Sequence, residues 1–300
     1  MTHLKDSELK LPSYGGQALI EGVLMRGSRY LAAAFRAPSG EIIVQTEKLG
    51  ALYTSKLTKI PFLRGLVILW DAIGLGTKYL TVSANIQTGE DEKIEGPAMT
   101  LTIAFSFVVA IALFFLAPAG IATLIEKWLE LTPFTANMIE GMIRLILIIG
   151  YIWAVGKMPD IHRVFSYHGA EHKTINTFES SCQVNVASIK PFSLYHPRCG
   201  TGFVVILVVF SIILFALLGP ISNIFIKFAT RIVLLPVLVM LAYEYMKFSA
   251  NHIDHPVFKY LSVINMAMQR LTTNEPTDEM LEVAAVAFNR MYALEQADSK

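Results

Sequence analysis

Cysteine is nearly absent: the chain of 300 residues has two, Cys182 and Cys199. That excludes a disulfide framework. Charge is scarce as well, at 16% Asp, Glu, Lys and Arg, where ordinary soluble domains carry about 25%. Such a chain is a poor candidate for a soluble enzyme. Neither sign prevails, with 25 Lys plus Arg against 24 Asp plus Glu, so no nucleic-acid partner is expected. There is no 20–50-residue repeat, which excludes a solenoid. Residues 1–14 lack the apolar core of a signal peptide and are expected to form a flexible tail. What the chain has in quantity is apolar side chains, 54% of residues with a mean hydropathy of +0.51. The composition predicts a polytopic membrane protein with sizeable polar parts.

Hydropathy divides the chain. Residues 15–60 are expected to form a small β-containing module, with a hairpin turning at Pro38-Ser39-Gly40 and charges at Glu21, Arg26, Arg29 and Arg36 keeping it out of the bilayer. Glu21 and Arg26 are candidates for a pocket wall, but a salt-bridged hairpin is the favoured reading. Residues 61–97 hold an amphipathic helix and a linker. Arg64, Asp71 and Lys78 recur every seven residues there and form one charged stripe. An interfacial position is favoured, because each charge at a bilayer centre costs about 2.5–3.5 kcal/mol.

Four runs near 98–119, 138–158, 202–221 and 229–248 have the roughly 20 apolar residues that a helix needs to cross hydrocarbon. They define two transmembrane pairs, 98–158 and 201–250, with a turn near Gly219-Pro220 inside the second. Between the pairs lies a polar loop, 159–200, and after them a helical region, 251–300. The fold class is thus mainly α, with about four spans, an interfacial helix and the small β module.

Lys and Arg number 11 in residues 1–97, five in 157–200 and five in 247–300. This bias puts both termini, the β module and the 159–200 loop in the cytoplasm of a multi-pass inner-membrane protein. Trp70, Trp128 and Trp153 fall where an aromatic belt is expected. In the C-terminal region, Met280, Val283, Ala284, Ala287, Phe288 and Met291 make an apolar stripe after a helix start at Pro276-Thr277-Asp278-Glu279. That stripe docks on the β module or joins a second copy of the chain in a homo-oligomer.

The chemistry-bearing residues cluster around the loop. His168-Gly-Ala-Glu171-His172 puts two imidazoles at i and i+4, on one helix face and suited to one metal ion. The order H-x-x-E-H is that of inverted zinc hydrolases, in which the carboxylate activates a metal-bound water. The bland alternative is a polar helix with Glu171 solvated. His196-Pro-Arg-Cys199-Gly supplies an H-x-x-C pair in a tight turn, and a reducing compartment favours metal over disulfide. The alternative there is a simple capped turn. His168, His172, His196 and Cys199 together are the expected ligands of a divalent metal, zinc being the natural choice.

Glu244 sits inside the fourth apolar run, where an acid usually faces a cavity or a partner. It is either a catalytic carboxylate beside Glu171 or the partner of Arg144 in an intramembrane ion pair. Residues 244, 248, 251 and 255 share one face if the helix continues, which would bring Glu244, Asn251 and His255 to one groove. His252 and Asp254 follow at the membrane boundary.

The stretches GGQALIEGVLMRG, KIPFLRG, MPDIHRVFSYHGAEHKTINTFE, HPRCGTGF and QRLTTNEPTDEMLEVA together resemble the bacterial YqhQ-type membrane family, domain of unknown function 1385. The resemblance runs from about Gly15 to Leu294. It implies a membrane location and a family often labelled a predicted metal-dependent enzyme, but no substrate.

Two functions follow as expectations. One is a metal-dependent hydrolase at the cytoplasmic face, acting on a lipid, a lipid-like intermediate or a membrane peptide, with Glu171 as general base. The other is a non-enzymatic transporter or assembly factor in which four ligands close a structural metal clamp.

Overall fold

The computed structural model describes residues 14–50, 56–88, 96–219, 221, 223–252 and 255–298. The tail 1–13, most of the linker before residue 96, Pro220 and Asp254 lie outside the described residues. Four strands come first: β1 (Gly15–Leu19), β2 (Gly22–Arg26), β3 (Tyr30–Arg36) and β4 (Ile42–Lys48). The helices that follow are α1 (Leu63–Thr88), α2 (Pro97–Ile111), α3 (Ala117–Leu129), α4 (Pro133–Val155), α5 (Pro159–Glu179), the single turn α6 (Val186–Ile189), α7 (Thr201–Leu217), α8 (Ile224–Val233), α9 (Leu235–Asn251), α10 (Pro256–Gln269) and α11 (Asp278–Ala297). The chain is mostly helical. It divides into two compact units, one of Met1–Tyr53, Arg163–Leu194 and Thr273–Lys300, the other of Thr54–His162 and Tyr195–Thr272.

In the first unit the strands form an antiparallel meander in the order β1-β2-β3-β4. The β3–β4 hairpin turns at the Pro38-Ser39-Gly40 signal, with Gly40 at φ 88. The register pairs Val23 with Ala34 and Met25 with Ala32, so these four share one face. That face enters a core with Tyr167, Ala170 and Ile175 of α5 and with Met280, Val283, Ala284, Ala287, Phe288 and Met291 of α11. The C-terminal stripe is therefore buried on the sheet, each large side chain contributing about 1.5–3 kcal/mol. Thr277 caps α11 by accepting from Met280 N–H. Near its other end the buried Glu295 accepts from the backbone N–H groups of Arg29 and Tyr30, at 2.6 and 2.8 Å. Tyr14, assigned from sequence to the flexible tail, is buried against Phe178, Phe288 and Tyr292. An aromatic ring needs such a site once the core offers one.

Among the described residues of the second unit three helices are long and apolar enough to cross a membrane: α1 (26 residues), Met99–Leu129 (31 residues) and α4 (23 residues). The pair α8 and α9 makes a fourth if its 42° bend counts as one broken span, and α7 is a shorter apolar helix. The expected run 229–248 is thus not straight. Pro236 has no N–H for the Ile232 carbonyl, and the helix breaks at Leu234. The run 202–221 ends early, at Leu217. The stretch read as interfacial is a full-length apolar helix whose stripe residue Arg64 is paired rather than solvated. The first half of the stretch read as a polar loop, 159–200, is α5.

A proline also shapes α2 and α3. Pro118 cannot donate to the carbonyl of Phe114, and Ala112–Leu116 widens into a π turn that carries one helix into the next. Arg144 of α4 donates Nε to that same carbonyl at 3.0 Å.

Candidate functional site

Helix α5 is polar in sequence, yet Ser166, Tyr167 and residues 169–175 are all buried. Its side chains are therefore committed to specific partners, as burial requires. Lys173 gives its ammonium to the Lys190 carbonyl at 2.9 Å and to Glu275 at 2.5 Å. Asn176 Nδ2 donates to Ser193 O at 2.9 Å. His172 Nδ1 lies 2.6 Å from Leu194 O. Three side chains spaced along one face thus hold the strap 190–194 against the helix. On another side Asn274 N–H donates to Phe165 O. Gly169 lets that segment approach, since a Cβ there would sit 2.2 Å from Asn274 O.

His168 and His172 stand one turn apart, as the i, i+4 spacing requires. Their rings are 4.4 Å apart between centroids and inclined at 61°, and their ring nitrogens come within 4.8 Å of one another. A carbonyl can only accept, so His172 carries on Nδ1 the proton that it gives to Leu194 O. This is the arrangement in which metal-binding histidines are ordinarily oriented.

Glu171 is 6% exposed. Its side chain approaches β1, where a Cβ on Gly16 would lie 2.9 Å from its Cγ. Burial lifts its carboxyl to about 8, against the pull of a hydrogen bond from the Gly16 backbone. Near neutral pH this carboxyl holds its proton. Glu171 is thus not the solvated residue of the bland alternative.

A second constellation in the same unit escaped the sequence reading. Glu21, the last residue of the β1–β2 turn, has φ 51, a conformation that non-glycine residues seldom adopt. Its carboxylate takes Arg163 Nε and Nη2 at 2.5 and 2.6 Å and the Tyr167 hydroxyl at 3.2 Å. The Arg163 hydrogen bond holds Glu21 below the ordinary carboxylate range, while burial pushes the Tyr167 phenol up. The expected Glu21–Arg26 bridge gives way to this bidentate pair, which a long-range contact sets and local spacing does not reveal.

In the other unit the His196–Gly200 turn is tightly held. Gln269 accepts from His196 N–H at 2.9 Å and donates to His196 O at 2.8 Å. His196 Nδ1 accepts from Arg198 N–H at 3.3 Å, as in the capped turn. Burial pushes this imidazole down to about 4, so it stays neutral. Cys199 is buried, with Sγ 2.8 Å from Thr201 Oγ1.

Glu244 does not pair with Arg144. Its carboxylate takes both Nε (2.7 Å) and Nη2 of Arg64 and the Phe62 backbone N–H at 2.9 Å. Arg144 instead meets Glu140, its i−4 neighbour, at 2.8 Å and Ser211 Oγ at 2.5 Å. Nor do Glu244, Asn251 and His255 share a helix face, because α9 stops at Asn251 and His255 caps α10. His252 is exposed and its Nδ1 lies 2.8 Å from Phe248 O.

Comparison with known proteins adds the following. The family described as "Protein of unknown function (DUF1385)" matches residues 60–294. The "Uncharacterized protein YqhQ" of Bacillus subtilis (strain 168) is 35% identical over 251 residues, 78% of this chain and 77% of that protein. No solved structure matches.

Proposed function

For this chain, which belongs to the DUF1385 family, we propose an integral membrane protein that holds a divalent metal and uses it to hydrolyse an amphiphilic substrate. The observation that carries the reading is the His168–His172 pair with His172 Nδ1 fixed by Leu194 O. Of the four ligands the sequence offers, His168, His172 and Cys199 are taken as those that hold it. Covalent continuity supports the third: Cys199 follows Leu194 by five residues, a reach of about 18 Å at most. Two imidazoles and a thiolate suit zinc and leave one tetrahedral position open, the mark of a catalytic rather than a structural site.

A divalent ion there would supply an activated water and polarise a scissile carbonyl or phosphoryl group. The chain's own residues do the rest. Leu194 O and the i, i+4 spacing fix the two imidazoles. Glu171, which stands between the two histidines in the sequence, would act as the general base in its deprotonated form. Both Glu244 oxygens are given to Arg64, so the general-base role falls on Glu171 alone. His196 serves the turn that presents Cys199.

The membrane reading is supported by apolar side chains left bare along the long helices, such as Leu101, Phe105, Leu124 and Ile146, each more than 60% exposed. Surfaces of this kind are rare in water and ordinary in hydrocarbon. With such surroundings the substrate class is a lipid, a lipid-linked intermediate or a membrane peptide.

A second reading, the structural clamp of a transporter or assembly factor, draws on one observation: Glu171 is directed at Gly16 N–H rather than an open space. Glu171→Gln separates the two. Under the hydrolase reading, the purified variant keeps its metal and loses hydrolysis of a lipid-ester, phosphodiester and peptide panel. A metal-bound wild type inert on the whole panel favours the clamp, whereas wild-type hydrolysis by Glu171→Gln removes Glu171 as the base.

A further inference from the structure

Helix α8 carries Lys227 and Arg231 four residues apart, which places two cations side by side on one face. Both are buried, at 5% and 1% exposure. Their compensation is incomplete. Arg231 and Arg144 share a single carboxylate, that of Glu140. Lys227 has Glu126 only at 3.5 Å, and that carboxylate is part-exposed. Three cations face two acids, an excess of one positive charge among buried groups of apolar helices, where an uncompensated charge is costly.

The same groups line a small open cleft: Lys227, Arg231, Asn137 and Glu126. Arg231 gives Nε and Nη2 to Glu140 and Asn137, which leaves Nη1 without a partner among the described residues. Lys227 gives one proton to Thr123 at 2.8 Å and one toward Glu126, leaving a third. Asn137 gives one amide proton to Phe215 O and keeps the other. Phe215 also lies under the Arg231 guanidinium, 4.1 Å from it, and fixes its plane. The space is water-sized, enough for one anionic oxygen with the rest of the group at the mouth.

We propose that this cleft binds a phosphate group, inserting one oxygen between Lys227, Arg231 and Asn137. A phosphodiester carries one negative charge, which is the charge the cluster lacks. The group comes from an anionic phospholipid headgroup or from free phosphate, and the headgroup source rests on the membrane reading above. The site is separate from Cys199. Cys199 lies before the start of α7 and the cleft beyond its end, and 17 residues of helix make about 26 Å.

The test uses the detergent-purified full chain and follows its melting temperature with increasing inorganic phosphate in one arm and short-chain phosphatidylglycerol in the other. Saturable stabilisation by the lipid alone identifies a headgroup site, and saturation by phosphate identifies a free-anion site. In either case Lys227→Met weakens the apparent affinity about tenfold or more, the cost of a lost charge-assisted hydrogen bond. Glu126→Gln removes only the neighbouring acid and strengthens binding, a gain that loosened packing would not produce. It keeps the proposal open to refutation if Lys227→Met fails to fold. No saturable shift with either probe overturns the proposal, as does wild-type affinity in Glu126→Gln together with any Lys227→Met that folds.

Discussion

Arg144 donates its Nε to the carbonyl of Phe114, the carbonyl whose α-helical donor Pro118 has removed. A proline in one apolar helix and an arginine in another are thus two halves of one device. The π turn absorbs the proline, and the guanidinium takes the carbonyl that the turn presents. From there the charge network continues through Glu140 to Arg231 and Asn137.

This network ranks two substitutions. Glu140→Gln leaves two buried guanidiniums facing each other without a carboxylate and costs about 3–5 kcal/mol. Arg144→Met leaves Glu140 still bonded to Arg231 and costs less. Denaturation of the two purified variants under one set of conditions gives the order, and a reversed order would show that Glu140 is not the shared anion.

The Glu21–Arg163 pair makes stability depend on pH in a definite direction. The folded state holds the Glu21 carboxyl below its ordinary value of 4.5, chiefly through the hydrogen bond from Arg163. The unfolded chain therefore binds the proton first. The pair's contribution is complete above about pH 4.5 and is lost as pH falls through the lower folded value. Arg163→Met removes that contribution, so wild type and variant converge in stability on acidification below pH 4.5. A gap that stays constant with pH would contradict the assignment.

Gly16 is where β1 meets Glu171. A Cβ there would lie 2.6 Å from Leu24 O and 2.9 Å from Glu171 Cγ, a clash with backbone that cannot rotate away. Gly16→Ala is expected to cost about 1–3 kcal/mol. Gly15→Ala, with open space around its Cβ, is the control, and equal effects at the two positions would refute the close approach.

Phe288 and Trp128 contrast the two kinds of aromatic in this chain. Phe288 is 1% exposed in the core of the first unit, and Phe288→Ala costs about 3–5 kcal/mol. Trp128 is 82% exposed near the end of α3, and Trp128→Ala changes stability by no more than about 0.5 kcal/mol. If Met99–Leu129 crosses the bilayer as proposed, Trp128 left as the sole tryptophan, with Trp70 and Trp153 changed to Phe, is quenched in vesicles by shallow brominated lipids more than by deep ones. Deep quenching would contradict that placement.

The sequence displayed whatever depends on local spacing. The C-terminal stripe from Met280 to Met291, the Pro38-Ser39-Gly40 turn and the His168–His172 pair each follow from a period or a turn residue, and each is found where that period puts it. Partners across long separations were hidden. Glu244 was matched with Arg144 because both lie in apolar runs, whereas Arg64, 180 residues from Glu244, holds it. Arg144 has a closer acid in Glu140, and this i, i+4 spacing was present in the sequence, as was that of Lys227 and Arg231. Breaks were hidden as well: hydropathy averages across Leu234 and Pro236 and reports one span where the helix bends by 42°. The alternative that left Glu171 solvated was open because composition does not show that strap 190–194 and Asn274 cover α5.

The central claim is that His168, His172 and Cys199 hold one metal ion, and bound metal per purified chain tests it most directly. The account predicts close to one zinc per wild-type chain, retained in Glu171→Gln and His196→Ala and lost in His168→Ala, His172→Ala and Cys199→Ala. A folded wild-type chain with no metal after zinc exposure, or the same metal content in all five variants, would contradict it.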